Sequence, residues 1–297
     1  MSGSTNRLLL PDGRTLAWTQ YGPDGGRPVF YFHGTPGARS EFEMLGGDAT
    51  ARRHGLRVLA PDRPGMGGST FQPDRTIGSW PADVAALADH LGVQQFGVLG
   101  YSGGGPYALA AAIALPERVS RVGLVACVGP HDLPGMREAL DPQAARFLGL
   151  NRTSPRLARL ITRQMGLLAR FAPGLLWRQM RSSLPGPDRE FLSDGVRFAS
   201  LRAELRDSMR HGPRGDQHDS ALMVGPWDVR FEDVAVPTLI WQGEQDREAP
   251  PMVARRAAGA IAGSRAAFYP DDGHLSLWAS HGDEILAAFE GAGPPAA

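Results

Sequence analysis

The chain has 297 residues, with 31 basic and 31 acidic side chains and a formal charge of +0. That balance gives no basic excess for a nucleic acid to meet. All the basic residues are arginine, which excludes a phosphate-loop lysine, a Schiff-base lysine and a lysine general base. One cysteine, Cys127, excludes an internal disulfide and any multi-cysteine metal site, and its apolar run VGLVACV marks it as a small buried hydrophobe. No stretch reaches the roughly 18 apolar residues that a membrane span needs. The first residues, MSGSTNRLLLPDGR, offer only three consecutive leucines, too few for a signal-peptide core, so the expected location is cytoplasmic.

In chain order, Arg7 to Leu10 and Thr15 to Tyr21 flank the turn Pro11-Asp12-Gly13 and read as a hairpin. Apolar runs follow at Pro28 to Phe32, Leu56 to Ala60, Phe96 to Leu99 and Val119 to Val128. Helical patterns at Asp83 to Leu91 and Gly105 to Leu115 separate the later runs. Near-continuous apolar strands alternating with helices are what a parallel sheet covered on both faces requires. From His131 to Asp233 no strand pattern appears, and amphipathic helices broken by prolines take over. Strands return at Val236 to Trp241 and Ala266 to Tyr269, with helices near Met252 to Ile261 and Ser276 to Phe289. The expected organisation is an α/β core over 1–130 and 234–297, carrying a helical cap insertion over 131–233.

The strongest chemical signal is Gly100-Tyr101-Ser102-Gly103-Gly104, between an apolar strand and an apolar helix. A serine in such a turn takes a strained backbone, so the positions two residues either side, Gly100 and Gly104, must be small. The following helix points its N-terminus at any developing oxyanion. Serine needs a base, and of eight histidines His274 stands best, in a loop after the last strand and before the last helix. Loops at the carboxyl ends of parallel strands share one sheet edge. Asp246, after the penultimate strand, is the expected acid, and Asp132, after the strand ending at Val128, is the alternative. His33-Gly34-Thr35-Pro36-Gly37 follows another apolar strand, and its bend can present the Thr35 amide beside that of Gly103 as an oxyanion hole.

Between Pro142 and Pro187 there are eight arginines and no acid. Arg156, Arg159, Arg163 and Arg170 fall on one helical face, and Leu157, Leu160, Ile161, Met165, Leu168 and Phe171 on another. The expected arrangement is a solvated face beside a core face; attraction of an acidic substrate or rest on an anionic membrane surface are the functional readings.

The order HGTPG, DRPGMGGS, GYSGG, GEQD and DDGH resembles the α/β-hydrolase superfamily over nearly the whole chain. The resemblance implies an eight-stranded, mostly parallel sheet with a helical cap, and the roles of nucleophile, acid and base for Ser102, Asp246 and His274. His33, Gly34, Gly100 and Gly104 are the supporting motif, and no metal or organic cofactor is implied. Family dehalogenases and epoxide hydrolases carry Asp where Ser102 stands. Proline iminopeptidases show HGGPG and a Trp where Thr35 and Gly103 stand, which favours ester, thioester or lactone hydrolysis of a small acyl substrate. C–C bond hydrolysis, lyase or aminopeptidase chemistry with the same three side chains, or a ligand-binding protein with vestigial turnover, are the alternatives.

Overall fold

A computed structural model of the chain describes residues 4–181 and 183–291. Eight strands form one sheet: β1 (Asn6–Leu9), β2 (Thr15–Tyr21), β3 (Arg27–Phe32), β4 (Leu56–Pro61), β5 (Phe96–Tyr101), β6 (Val119–Val125), β7 (Thr238–Gly243) and β8 (Arg265–Tyr269). Their spatial order is β1-β2-β4-β3-β5-β6-β7-β8. Pairing is antiparallel at β1/β2 and β2/β4 and parallel everywhere else. This is the mostly parallel eight-stranded sheet expected of an α/β-hydrolase.

The sheet is buried on both faces because its strands are apolar in both phases of the pleat. Phe30, Leu59, Val98, Val122 and Ile240 pack on one side with the helices Trp80–His90, Gly105–Ala114 and Pro251–Ala260. Val29, Val58, Leu99, Val125 and Trp241 pack on the other, against Gly47–Arg53 and Ser276–Ala287. The helix Gly105–Ala114 is alanine-rich and carries Pro106 in its first turn, where a missing N–H costs nothing. Eight of its ten residues are buried, as its central place demands.

Three details depart from the sequence expectation. The strand expected over Val119 to Val128 ends at Val125, because Ala126 turns into the left-handed region (φ 46°) and Val128 N–H then bonds the Ser102 carbonyl at 3.2 Å. Two short helices, Glu41–Met44 and Gly47–Arg53, occupy the β3 to β4 connection, broken at Gly46 (φ 76°). The apolar residues of helix Pro155–Phe171 do not form one core face: Ile161, Met165 and Leu168 are half-buried, whereas Leu157, Leu160 and Phe171 are exposed beside Arg156, Arg163 and Arg170.

Between β6 and β7 the described residues form helices Met136–Ala139, Pro142–Thr153, Pro155–Phe171, Pro173–Met180, Gly186–Ser193, Gly195–Ser208 and Arg214–Val224. Several of them share an apolar cluster of their own, built from Ala169, Leu176, Leu184, Phe191, Leu192, Leu201 and Leu205.

Candidate active site

Ser102 directly follows β5 and stands at φ 51°, in the left-handed region that side chains with a Cβ rarely adopt. Its neighbours explain the glycines. A Cβ at position 100 would come within 2.6 Å of the Gly104 carbonyl, and one at position 104 would collide with the Phe32 carbonyl. One at position 103 would lie 2.9 Å from Thr35 Cβ and 3.1 Å from Thr35 N, so the 103 and 35 backbones are in close approach. The Thr35 amide has no acceptor among the described residues. Thr35 and Gly103 therefore lie against each other in the same cavity wall as Ser102, at the head of the central helix.

His274 lies in the loop between β8 and helix Ser276–Ala287, and it is buried. Its Nδ1 meets Asp246 Oδ2 at 2.8 Å. Asp246 is held from several sides: its Oδ1 accepts the amides of Glu248 and Ala249 at 2.9 Å each, and Oδ2 also accepts from Gln242 Nε2 at 3.3 Å. Burial opposes charging of the imidazole, but the Asp246 carboxylate and its hydrogen bond, with Glu248 and Asp188 beyond, outweigh it and raise the His274 pKa above the ordinary histidine value. Asp132, the alternative acid, is exposed and makes no hydrogen bond or ion pair with His274 among the described residues. Ser102 Oγ and His274 are likewise not hydrogen-bonded to each other among the described residues; hydrogen bonds of this kind often tighten only with substrate in place.

The His33 loop is clamped from behind. His33 is buried and donates from Nδ1 to Gly34 O at 2.9 Å, while its Nε2 accepts the Arg63 amide at 3.2 Å. Burial, and then the neighbouring Arg63, push its pKa well below the ordinary value, so the ring is neutral and structural. The Arg63 guanidinium, fully buried, donates to the carbonyls of His33 and Gly34, to Thr35 Oγ1 (2.9 Å) and to Asp219. Asp219 also accepts from Thr35 Oγ1 at 2.7 Å, from Tyr107 OH at 2.6 Å and from Arg75. Burial alone would raise the Asp219 pKa, but Arg63 and Arg75 hold it well below the usual carboxylate range. Gly34 N–H is taken by Glu41 Oε2 at 2.8 Å, which Tyr31 OH also reaches at 2.5 Å. Desolvation still lifts Glu41 to about 7.

The His274 loop has its own anchor. Asp188, fully buried, accepts the amides of His274 (2.8 Å), Leu275 (2.9 Å) and Ser276 (2.9 Å) and the Ser276 hydroxyl (3.0 Å). The carboxylate thus satisfies N–H groups that a helix start leaves without partners. Sequence reasoning missed Asp188, Asp219 and Glu41. Asp188 and Asp219 lie in the helical segment, 86 and 184 residues from the partners they hold, and no local motif announces them.

A cavity of about 510 Å³ opens on Ser102, Thr35 and Gly103. Its walls are largely apolar, including Met136, Leu140, Phe147, Ile161, Met165 and Met223, with His131, Asp141, Arg146, Arg247 and Glu248 as charged or titratable members.

A strained serine in a strand-to-helix turn on a mostly parallel sheet, with an acid and a histidine delivered by later strand ends, is the arrangement of the α/β hydrolytic enzymes. The chain belongs to the family whose model, described as alpha/beta hydrolase fold, matches residues 27–280. It is an enzyme of that family. It is 29% identical over 73% of its length to the dihydrolipoyllysine-residue acetyltransferase component of the acetoin cleaving system of Pseudomonas putida, and spans only 56% of that longer protein. It is 28% identical to the uncharacterized hydrolase YcgS of Bacillus subtilis, over 94% of this chain and 95% of that one. A solved hydrolase structure from Pseudomonas aeruginosa PA01 superposes with a TM-score of 0.70 at 22% identity, covering 98% and 100% of the two chains, a likeness of fold.

Proposed function

We propose that this enzyme hydrolyses a carboxylic ester, thioester or lactone of a small acyl substrate through a covalent intermediate on Ser102. The observation that carries the reading is the left-handed Ser102 backbone (φ 51°) at the mouth of the apolar cavity. A strained serine is retained where its hydroxyl must stand clear of the sheet. Ser102 Oγ attacks the carbonyl carbon, and His274 accepts the hydroxyl proton at Nε2, the ring nitrogen that Asp246 leaves free. Asp246 fixes the ring and stabilises the imidazolium that forms. The amides of Thr35 and Gly103 receive the developing oxyanion. His274 then gives the proton to the departing alkoxide or thiolate, which leaves as the alcohol or thiol, and water repeats the sequence to release the acid. Residues 131–233 act as a cap whose inner side chains shape the acyl pocket, supported by their separate apolar cluster and by Met136, Phe147, Ile161 and Met165 in the cavity wall.

Labelling with a fluorophosphonate tests the nucleophile directly. The wild-type chain should label rapidly, and Ser102→Ala should neither label nor turn over an activated ester, with a rate loss of about a millionfold as in comparable triads. Wild-type turnover in Ser102→Ala would refute the mechanism. Slow or absent labelling of the wild-type chain would favour a ligand-binding role instead.

A further inference from the structure

Helix Pro155–Phe171 is bordered on both sides by unlike surroundings. One flank, Ile161, Thr162 and Met165, lines the cavity that holds Ser102. The opposite flank leaves Leu157, Leu160, Leu167 and Phe171 exposed, Phe171 at 71% and Leu160 at 61% of full accessibility. Leu175, on the next helix, extends the set, so five of the seven exposed large apolar side chains among the described residues fall within 157–175. Burying such groups is favourable, and leaving them together in water is unusual unless a surface covers them.

Along the helix itself the charge has one sign, although Glu43, Glu204 and Asp207 of neighbouring elements share a groove with Arg163, Leu167 and Arg170. Arg156, Arg163 and Arg170 repeat at seven-residue spacing along the exposed apolar row, and all three are exposed. Arg170 lies over the Phe171 ring at 5.1 Å, cation and aromatic side by side. Between Pro142 and Pro187 eight arginines occur with no acidic residue, although the whole chain is neutral. Leucine and phenylalanine flanked by arginine on one exposed helical face is the pattern of a helix that lies in a lipid headgroup layer, apolar side down, with cations against lipid phosphates.

We propose that this face docks on an anionic phospholipid surface, a property that goes beyond the hydrolytic reading and does not depend on it. Docking would set the back of the catalytic cavity against the lipid layer, since the same helix forms the cavity wall.

The test is co-sedimentation of the full chain with vesicles of phosphatidylcholine alone and of phosphatidylcholine with phosphatidylglycerol. The chain should bind the anionic vesicles, bind the neutral ones far less, and lose binding as salt rises. A triple variant, Arg156→Gln with Arg163→Gln and Arg170→Gln, should bind about a hundredfold more weakly. Leu160→Gln with Phe171→Gln should also release the chain, and both variants should keep wild-type turnover of a water-soluble activated ester. No binding to anionic vesicles, or undiminished binding by either variant, overturns the proposal. So does a stable dimer in light scattering that Leu160→Gln with Phe171→Gln dissociates, because that assigns the face to a second copy of the chain.

Discussion

Replacing Asp219 by Asn should damage both stability and catalysis, because one carboxylate fastens two buried guanidiniums and the Thr35 loop at once. Arg63, Arg75 and Asp219 are buried, and Asp219 also takes hydrogen bonds from Thr35 and Tyr107. Breaking a buried ion pair by removing one partner costs about 3–5 kcal/mol, since the remaining charge has neither water nor counterion. At about 2.1 cal/mol/K of unfolding entropy per residue, that loss in a chain of 297 residues lowers the melting temperature by about 5–8 °C. The displaced Thr35 amide should cost up to about 10²–10³ in kcat, the effect of losing one oxyanion donor. Thr35→Val separates the two effects: it removes the two hydrogen bonds of Thr35 Oγ1, to Asp219 and from Arg63, worth about 1 kcal/mol each, without removing either member of the ion pair, yet frees the same loop. The assays are thermal melting by circular dichroism, and kcat and KM on an activated ester well below the melting point. Because Asp219 is held below its ordinary value of 3.8, its stabilisation is present above that pH and vanishes only as pH falls through the depressed value. The stability gap between the wild type and Asp219→Asn should therefore persist below pH 3.8. A wild-type melting point for Asp219→Asn would refute the clamp, and a lowered melting point with wild-type kcat in both variants would refute its hold on the oxyanion loop.

Asp246→Asn should lower kcat by about 10⁴ through loss of the correct imidazole tautomer, whereas Asp132→Asn should leave it unchanged; steady-state kinetics on one ester compares them, and the reverse order would make Asp132 the acid. His274 must be neutral to accept the Ser102 proton, so its raised pKa places the acid limb of the kcat/KM profile above 6.5, with activity rising as pH climbs through that limb. Glu248 is among the charges that raise it, so Glu248→Gln should move the limb down toward 6.5, and an unmoved limb would exclude that carboxylate from the field at the imidazole.

The parts of the fold and site that were legible in the sequence are those whose cause is local. The strand Phe96–Tyr101 announces itself as an apolar run, and Gly100 and Gly104 flank Ser102 because a Cβ at either would strike nearby backbone. Asp246 and His274 could be chosen because each follows a strand whose end lies on the same sheet edge. Helical spacing predicted two faces for Pro155–Phe171, but it carries no information on which neighbours pack there, and so the exposure of Leu160 and Phe171 was invisible. Asp219 and Asp188 were equally silent. An Asp in a helical segment reads as surface charge until the fold brings Arg63, or three amides at the start of another helix, against it.

Those two carboxylates change what the helices between β6 and β7 are for. Two loops of the candidate site are each bonded by a side chain from that segment: Asp219 holds the Thr35 hydroxyl, and Asp188 holds the backbone of His274. Asp246 bonds the ring at Nδ1 and Asp188 bonds the backbone amide, so His274 is held by two elements that are not neighbours in sequence. A lid that merely covered a finished centre would need no such bonds. A displacement of these helices would therefore act on the Thr35 loop and on the His274 loop together, through the hydrogen bonds of Asp219 and Asp188.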